Sequence, residues 1–454
     1  MSSLPQVPRL AVARAAVAEA IRNADRPVRP ARYAVPVAVA ATLAAGRWSV
    51  RDAGTQSWRL RIASPGAKSM SARLHPLVLP QGAELWLYAP DGSAAHGPFT
   101  RADVTASGLW TPMILGDELV VEVRVPTARV GAVRLQVAEA YHAFAEPKAG
   151  GPNASGDCNV DASCESAQWG AEARSVALIT IGNQFFCSGQ LLNNVEQDRR
   201  ALFLTARHCG IDRERGSADS AHFYFNYASP CGQDARALPE ATVTGATLLA
   251  DDATADFALL LLRGSLPADV YYAGWNATGD GANGGVSLHH PSGDARKISL
   301  FETQVTPATV DIGGACNVET WEVHWVRGTT EGGSSGGGLW SEDRQVIGVL
   351  SGGTASCENP NGADFYGRLG VAWTANPERE GQLKAHLDPD GTCIAAVPGL
   401  DPQVLLAPGP VTSGPLRCES PPAVCTTPRM NSGGAPAPLM LVLLLGAGLS
   451  RRRT

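Results

Sequence analysis

Cysteine is absent from the first 157 residues of this 454-residue chain, and ten cysteines follow between positions 158 and 425. No two of them form a Cys-x-x-Cys pair, so zinc sites and thioredoxin-type redox sites lose their usual sequence support. An even, dispersed set of cysteines favours disulfide bonds in an oxidising compartment. Buried free thiols in a cytosolic enzyme are the alternative.

Lysine is also scarce. The chain has only four lysines and a net charge of −6, and apart from residues 451–453 its basic residues are scattered. A nucleic-acid-binding surface needs a basic patch or stripe, so nucleic acid is excluded as a partner.

Long apolar runs are missing from both ends of the chain. Residues 10–21 carry charges inside their apolar stretch, which indicates a short amphipathic helix and not a signal peptide. The apolar run at 439–449 is shorter than the ~20 residues of a membrane-spanning helix.

The first region with a clear pattern is residues 31–147, which follow an N-terminal segment, 1–30, expected to be partly helical. Apolar and polar residues alternate there in short bursts such as 57–62 and 84–88, with Gly and Pro between them. This period of two predicts a small antiparallel β-sandwich. No cluster in it is spaced for chemistry, so we interpret it as a folding or inhibitory pro-domain. A carbohydrate- or surface-binding module is the alternative.

A second β-rich region spans residues 158–401, after a linker at 148–157. Short strand patterns recur, among them 201–205, 257–262 and 346–350, and helix periodicity is scarce until 378–387. The sequence therefore predicts an all-β protein with a short C-terminal helix.

The C-terminal end combines a Pro-rich linker, 402–430, with a tail at 431–454. The tail contains Gly433-Gly434, the apolar run and Arg451–Arg453. This resembles a bacterial C-terminal sorting signal of the Gly-Gly type, which a membrane-bound sorting protease reads. A weak tail anchor is the alternative. Both interpretations predict an extracellular or cell-surface protein.

The stretch Thr330–Gly338 consists of Gly or Ser at seven of nine positions, a composition typical of a flexible linker. However, strand patterns flank it at 321–325 and 345–350, and linkers seldom interrupt a β-domain. A tight Gly-rich loop can present one hydroxyl and two backbone N–H groups, as acyl transfer requires. Gly-x-Ser-Gly then makes Ser335 the nucleophile and the N–H groups of Gly333 and Ser335 the oxyanion hole.

A serine nucleophile needs a base and a carboxylate that orients the base. His208 follows the strand pattern at 201–204 directly, and Asp256 opens the apolar strand 257–262. Each of them alone is more often structural. In the order His, Asp, Ser, the segments Thr-Ala-x-His-Cys, Asp-Phe-Ala-Leu-Leu and Gly-x-Ser-Gly-Gly resemble those of trypsin-like proteases.

Further segments make the resemblance closer, and the chain is similar to the bacterial lysyl endopeptidase family over residues 158 to about 400. The segments are Cys158–Cys164, Cys187–Asn194, Phe203–Gly210, Tyr272–Trp275, His289–Pro291 and Tyr366–Arg368. The resemblance implies a trypsin-like double β-barrel that cleaves peptide bonds after Lys and needs no metal or other cofactor.

The resemblance also implies the roles of individual residues: His208 as general base, Asp256 as its orienter and Ser335 as nucleophile. It implies three disulfides, Cys158–Cys357, Cys164–Cys231 and Cys187–Cys209, and leaves the partners of Cys316, Cys393, Cys418 and Cys425 open. The His289-His290 pair is interpreted as structural, because adjacent strand side chains point to opposite faces and cannot share a metal.

Specificity for a cationic side chain requires a carboxylate in the substrate pocket. Trypsin's position for it is Thr329 here, whereas Asp364 matches the carboxylate of the lysyl endopeptidases; a turn aspartate is the alternative. Trp325 matches a Trp that lines the family's cleft.

One segment departs from the family. Ser351-Gly352-Gly353 replaces the family's His-Gly-Gly, which places Ser351 and Gly353 at the substrate and suggests that Ser351 supports the Asp256 carboxylate. The departure weakens strict Lys preference, so Arg or a broader preference is the alternative specificity.

The sequence thus predicts an exported, monomeric serine endopeptidase acting on proteins or peptides. We expect it to release its own pro-domain by cleavage after Lys148. An inert protease-like fold serving as a surface binding or adhesion protein is the alternative from another class.

Overall fold

The computed structural model describes residues 6–24, 31–145, 155–213, 217–233, 242–312 and 315–404. Most of them lie in β-strands. The N-terminal region contains the elements β1 (Arg9–Ala11), α1 (Arg14–Ala24), β2 (Ala31–Arg32), β3 (Ala34–Thr42), β4 (Arg47–Val50), β5 (Thr55–Ala63), β6 (Ser69–Val78), β7 (Glu84–Tyr88), β8 (Ala95–Phe99), β9 (Leu109–Trp110), β10 (Ile114–Leu115), β11 (Glu118–Pro126) and β12 (Arg134–Ala143).

Two sheets of this region share one core. One has the order β1-β5-β11-β7-β8 with β4 beside β5, and the other has the order β10-β6-β12-β3 with β9 beside β6. On β5, Trp58, Leu60 and Ile62 are buried and the arginines between them are half-buried. Side chains of both sheets belong to the same buried cluster, for example Leu60 and Leu74. The alternation in the sequence is therefore the alternation of the two faces of each strand.

The C-terminal region contains seventeen further strands and three short helices in the described residues. They are β13 (Val160–Asp161), α2 (Ser166–Ala173), β14 (Val176–Ile181), β15 (Phe185–Leu191), β16 (Leu202–Ala206), β17 (His222–Phe225), β18 (Thr242–Thr244), β19 (Ala246–Asp252), β20 (Phe257–Leu262), β21 (Gly274–Asn276), β22 (Gly285–His289), β23 (Lys297–Phe301), β24 (Thr306–Ile312), β25 (Ala315–Val323), β26 (Gly338–Ser341), β27 (Gln345–Gly353), β28 (Asp364–Arg368), α3 (Leu369–Ala372), α4 (Lys384–Leu387) and β29 (Ala396–Val397).

These strands form an eight-stranded and a ten-stranded sheet. The first has the order β18-β17-β14-β15-β16-β20-β19, and β2 from the N-terminal region pairs with β15. The second runs β13-β23-β22-β26-β27-β28-β25-β24, with β21 beside β27 and β29 beside β21. One large cluster of buried side chains draws on both sheets, for example Leu204 and Val349.

The helices differ from the sequence expectation. The pattern at 378–387 predicts one helix, but the structure has a 3₁₀ turn at Arg379–Gly381 and the single-turn α4. Gly381 separates them, and a Cβ there would lie 2.3 Å from Asn376 Cγ, so the backbone is held close to that side chain. Helix α2, which is too short to show a helical period, was not predicted.

None of the helices in the described residues is long and apolar enough to cross a membrane. The predicted sorting tail at 431–454 and most of the Pro-rich linker lie outside the described residues, as do Lys148, Cys418 and Cys425.

Candidate active site

Two neighbouring serines in the loop between β25 and β26 have different environments. Ser334 is buried, and its hydroxyl lies 2.8 Å from His289 Nδ1 and accepts a hydrogen bond from the Glu331 N–H. Ser335 is half-buried and lines a cavity of about 370 Å³ together with Thr330, Gly352 and Gly353. Within the described part of the chain the Ser335 hydroxyl has no hydrogen-bond partner, so Ser335 has the less constrained hydroxyl of the pair.

The backbone of this loop leaves two donors unused. Ser334 N–H donates to Glu331 O and Gly336 N–H donates to Leu350 O. The N–H groups of Gly333 and Ser335 have no acceptor among the described residues. Gly333 has a φ of +99°, and a Cβ there would lie 2.9 Å from His290 O. Glycine is therefore required at this position, for conformation and for space.

His208 lies in the 3₁₀ turn Arg207–Cys209 that follows β16. Its Nδ1 is 2.7 Å from Asp256 Oδ2, and its backbone N–H donates to Asp256 Oδ1 at 2.9 Å. Both side chains are buried, with 3% exposed on each. His208 Nε2 has no partner in the described residues. With Asp256 Oδ2 accepting a hydrogen bond from Nδ1–H, Nε2 is the ring atom left for contact with a substrate or a nucleophile, as a general base requires.

Asp256 occupies the turn between β19 and β20 with a φ of +47°. The left-handed conformation costs roughly 1 kcal/mol for most residues but is tolerated by Asp. The Asp256 carbonyl also accepts a hydrogen bond from the Arg207 N–H. The turn that contains Asp256 is therefore bonded to the turn that contains His208 through both the side chain and the backbone of Asp256.

Ser188 joins the loop between β25 and β26, called here the nucleophile loop, to both sheets. On β15, its N–H donates to Ser335 O at 2.7 Å and its hydroxyl donates to Gly333 O at 2.8 Å. The same hydroxyl accepts a hydrogen bond from the His290 N–H, which follows β22 in the ten-stranded sheet. Ser188 is a residue that sequence reasoning missed, because no local pattern distinguishes it from other strand serines.

Three disulfides join cysteines whose side chains are both described by the structure. Cys187–Cys209 links β15 to the turn that carries His208, with 6.3 Å between the Cα atoms. Cys158–Cys357 and Cys164–Cys231 hold the start of the C-terminal region. These are the pairs that the resemblance implied. The described side chains contain no group of three His, Cys, Asp or Glu that converges on a metal position.

Asp364 begins β28 and is fully buried. Trp325 Nε1 and Thr330 Oγ1 both donate to its Oδ2 at 2.7 Å, and both donors are neutral. Gly353 pairs with Asp364 across the strands, and a Cβ on Gly353 would lie 2.0 Å from Asp364 Oδ1. The carboxylate therefore stands directly behind the cavity wall formed by Thr330 and Gly353.

The charge of Asp364 affects its neighbour on β28. Burial and this carboxylate both raise the pKa of Tyr366 well above its ordinary value. A buried carboxylate needs compensation for its lost hydration, so this position favours a cation at the cavity.

Ser351 corrects one expectation. It is buried, but its hydroxyl has no hydrogen-bond partner in the described residues, so it gives no support to the Asp256 carboxylate. Asp256 is instead oriented by contacts with the backbone of the His208 turn.

His289 and His290 belong to separate networks, as adjacent strand residues should. His289 lies between Ser334 Oγ and Ser299 Oγ, and Ser299 donates to Thr329 O. Burial lowers the pKa of His289 and of His290 to about 3. His289 is therefore neutral and supports the first turn of the nucleophile loop.

Glu331 is another residue that sequence reasoning missed. Its Oε1 accepts hydrogen bonds from Gly156 N–H and Asn159 Nδ2, and its Oε2 accepts one from Ser292 Oγ. A lone charge in a run of Gly and Ser was a signal that could have marked it. Glu331 ties the loop to the segment at which the C-terminal region begins.

Comparisons with known proteins agree on one family. A family model described as the lysyl endopeptidase C-terminal domain matches residues 152–367, and one described as the lysyl endopeptidase N-terminal domain matches residues 4–144. A lysyl endopeptidase of Pseudomonas aeruginosa is 32% identical over 375 residues, which cover 76% of this chain and 79% of the relative.

Solved structures with partial similarity are proteases. The active form of the Rv3671c protease from M. tuberculosis is 19% identical with a TM-score of 0.34, and the match covers 50% of this chain and 90% of that one. An HtrA-type protease, AlgW, with a tripeptide is 15% identical with a TM-score of 0.31, and covers 44% of this chain and 58% of that one.

Proposed function

Because this chain belongs to the lysyl endopeptidase family, we propose that it is a trypsin-like serine endopeptidase that cleaves after basic residues, preferentially Lys. The observation that carries the proposal is the arrangement of His208. Asp256 holds its Nδ1 at 2.7 Å while its Nε2 is bare, and the hydroxyl of Ser335 is unengaged at the neighbouring cavity.

The first chemical step makes an acyl-enzyme. Ser335 Oγ attacks the substrate carbonyl carbon while its proton passes to His208 Nε2. The carbonyl oxygen becomes an oxyanion, which the N–H groups of Gly333 and Ser335 bind. One such donor is worth about 3 kcal/mol in the transition state. His208 then gives its proton to the leaving amine as the C–N bond breaks.

Deacylation repeats these roles with water. His208 Nε2 takes a proton from water, whose oxygen attacks the acyl carbon, and returns it to Ser335 Oγ as the ester bond breaks. Asp256 stays ionised throughout and stabilises the imidazolium that forms twice per turnover. No step requires a cofactor from outside the chain.

The preference for a basic residue rests on Asp364. A Lys side chain that enters the cavity beside Ser335 meets the wall of Thr330 and Gly353 with the carboxylate behind it. The negative charge of Asp364 at this wall attracts a cationic side chain and gains nothing from a neutral one, so a neutral side chain is discriminated against.

Residues 31–147 are proposed to be the pro-domain of this enzyme, with processing after Lys148. The disulfides support action in an oxidising compartment, and we propose an extracellular or cell-surface location. The tail at 431–454 is proposed as the substrate of a membrane-bound sorting protease.

A P1 profile tests the proposed specificity. We expect the processed protein to cleave a denatured protein mixture after Lys, with mass spectrometry identifying the new termini. Cleavage after Arg at an equal rate would favour the broader alternative. A phosphonate with a Lys side chain should label Ser335, and absence of the label on folded, processed protein would refute the peptidase function.

A further inference from the structure

One edge of β15 leads directly to the nucleophile. Strand β14 pairs with β15 along one side, from Phe185 to Gln190, while β16 pairs on the other side only at Gln190 and Leu191. On that second side, before Gln190, the Ser188 N–H donates a hydrogen bond to the carbonyl of Ser335. An extended segment that pairs with this side of β15 at Phe185 and Phe186 therefore lies close to Ser335.

The N-terminal region supplies such a segment. Strand β2 pairs antiparallel with β15, with Arg32 opposite Phe185 and Ala31 opposite Phe186. Tyr33 N–H continues the ladder by donating to Gln184 O at 2.8 Å. The segment Ala31–Tyr33 thus adds a strand to the sheet that carries His208.

Side chains fix this strand in one register. The Tyr33 ring stacks on Phe186 with 4.1 Å between centroids and 10° between planes, and Tyr33 is 2% exposed. The Arg32 guanidinium lies 4.7 Å from the centroid of Phe185. Strand addition of this kind takes affinity from main-chain hydrogen bonds and selectivity from alternate side chains.

Ala31 reaches the catalytic cavity itself. It lines the cavity that contains Ser335, and its Cβ lies 3.2 Å from the position a Cβ on Gly332 would take. Thr330 and Gly353, in front of Asp364, line the same cavity. A substrate whose basic side chain lies at Asp364 and whose later residues extend along β15 would therefore meet Ala31.

We propose that Ala31–Tyr33, which pairs with β15 at Phe185 and Phe186 in the unprocessed chain, is a built-in competitor of the part of a peptide substrate that follows the scissile bond. The inference rests on the proposed peptidase function. It also assigns a substrate class: peptides that carry an aromatic residue at the position of Tyr33, where Phe186 offers its ring face. A tethered competitor acts at an effective concentration that is roughly millimolar, so it excludes weaker peptides.

The contact could instead be one part of a general interface between the two regions. Tyr33 belongs to a buried cluster with Met113 from the same region and with Phe186 and Tyr224 from the other. Met113 is buried like Tyr33, and it lies outside the strand that pairs with β15 at Phe185 and Phe186. Met113→Ala is therefore a matched control that loosens the interface and leaves the strand in place.

The experiment uses the full chain carrying Ser335→Ala, which cannot process itself. Two fluorescent peptides are titrated by anisotropy: one ends at Lys as an amide, and the other continues for four residues with an aromatic residue at the position of Tyr33. Adding Tyr33→Ala should tighten binding of the long peptide at least about 10-fold and change the short peptide less than about 2-fold. Met113→Ala should change neither peptide by more than about 2-fold.

A second variant, Ala31→Phe, keeps the test decisive if Tyr33→Ala fails to fold. Ala31→Phe places a large side chain against Gly332, so it should expel the strand from the edge while Tyr33 keeps its core contacts, with the same gain for the long peptide.

Three results would overturn the inference: no gain for the long peptide, equal gains for both peptides, or an equal gain with Met113→Ala. Failure of the proposed function has a separate signature. If the Lys phosphonate does not label Ser335 in processed wild-type protein, the peptidase function fails and this inference falls with it. Labelling without the peptide effect leaves the peptidase function standing and overturns only the inference.

Discussion

A buried carboxylate of the N-terminal region and two of the C-terminal region are stabilised in different ways. In the N-terminal region, Glu122 is surrounded by permanent cations, with Arg124 at 3.1 Å and Arg59 at 3.6 Å. In the C-terminal region, the buried carboxylates Asp256 and Asp364 accept from His208, Trp325 and Thr330. Charges that are already neutralised on a sheet face are structural. Buried carboxylates held by neutral donors can still respond to a substrate, and such groups mark functional sites.

The largest expected effect is the loss of activity when the Ser335 hydroxyl is removed. Ser335→Ala should lower kcat/KM for a Lys peptide by about 10⁴-fold or more, because the nucleophile is lost.

Ser64, whose hydroxyl lies 2.8 Å from His142 Nδ1, is the N-terminal counterpart of Ser334. Ser64→Ala and Ser334→Ala should each lower the free energy of unfolding by about 1–3 kcal/mol, and Ser64→Ala should leave the activity of the processed enzyme unchanged. Steady-state kinetics and denaturant unfolding measure both. If Ser334→Ala abolished activity while Ser335→Ala retained it, the assignment of the nucleophile would be wrong.

A smaller effect should follow from removing one buried carboxylate in each region. Asp364→Asn keeps the shape of the side chain but not its charge, so kcat/KM for a Lys substrate should fall about 100-fold relative to a norleucine substrate. Glu122→Gln should leave that ratio unchanged in the processed enzyme. Competition assays with paired substrates give the ratio directly. A Lys preference that survives Asp364→Asn would show that another group binds the cation.

The smallest expected effect is a change in folding stability with pH. Burial lowers the pKa of His289 and His290 to about 3, so these rings stay neutral in the folded protein while the unfolded chain protonates near pH 6.5. Their contribution to stability is present above pH 6.5 and is lost as pH falls toward 3, by about 2 kcal/mol for each ring at pH 5.

The acids of the N-terminal region act in a lower window. Burial opposes ionisation of Glu122, but the hydrogen bond and charge of Arg124 and the charge of Arg59 outweigh it and lower its pKa. Its contribution is present above pH ~4.5 and is lost below it. Burial also lowers the pKa of His142, the N-terminal counterpart of the two C-terminal rings.

Between pH 7 and 5 we therefore expect β22 to lose more hydrogen-exchange protection than β5 in the unprocessed Ser335→Ala chain. Protection factors, corrected for the intrinsic pH dependence of exchange, measure this. Equal losses in the two strands would contradict the difference between the regions.

The sequence predicted local features of the fold well. The run Phe257–Leu262 is continuous and apolar, and β20 has those bounds because both of its faces are buried. Asp256 and His208 were identified because short motifs place them at strand ends. The split of 378–387 into two single turns was not predicted, since Gly381 looks harmless in a helical pattern until Asn376 is placed against it.

Features that depend on distant contacts were not predictable from one sequence. Ala31 lies about 300 positions from Gly332, and neither residue carries a signal of the contact between them. Ser351 shows the opposite error, because a motif suggested a hydrogen bond to Asp256 that the backbone geometry does not provide. Polar contacts across a site depend on ångström-scale placement, which a residue pattern does not specify.

The hydroxyl of Ser188 also sets the order in which activity can arise during folding. It connects Gly333, in the nucleophile loop, with the backbone of His290. These partners lie 145 and 102 positions away along the chain, so their contacts close late relative to local hairpins. A half-synthesised chain that has completed only the eight-stranded sheet possesses His208 and Asp256 but no positioned nucleophile. Under the proposed mechanism, peptidase activity therefore arises only after both sheets have assembled.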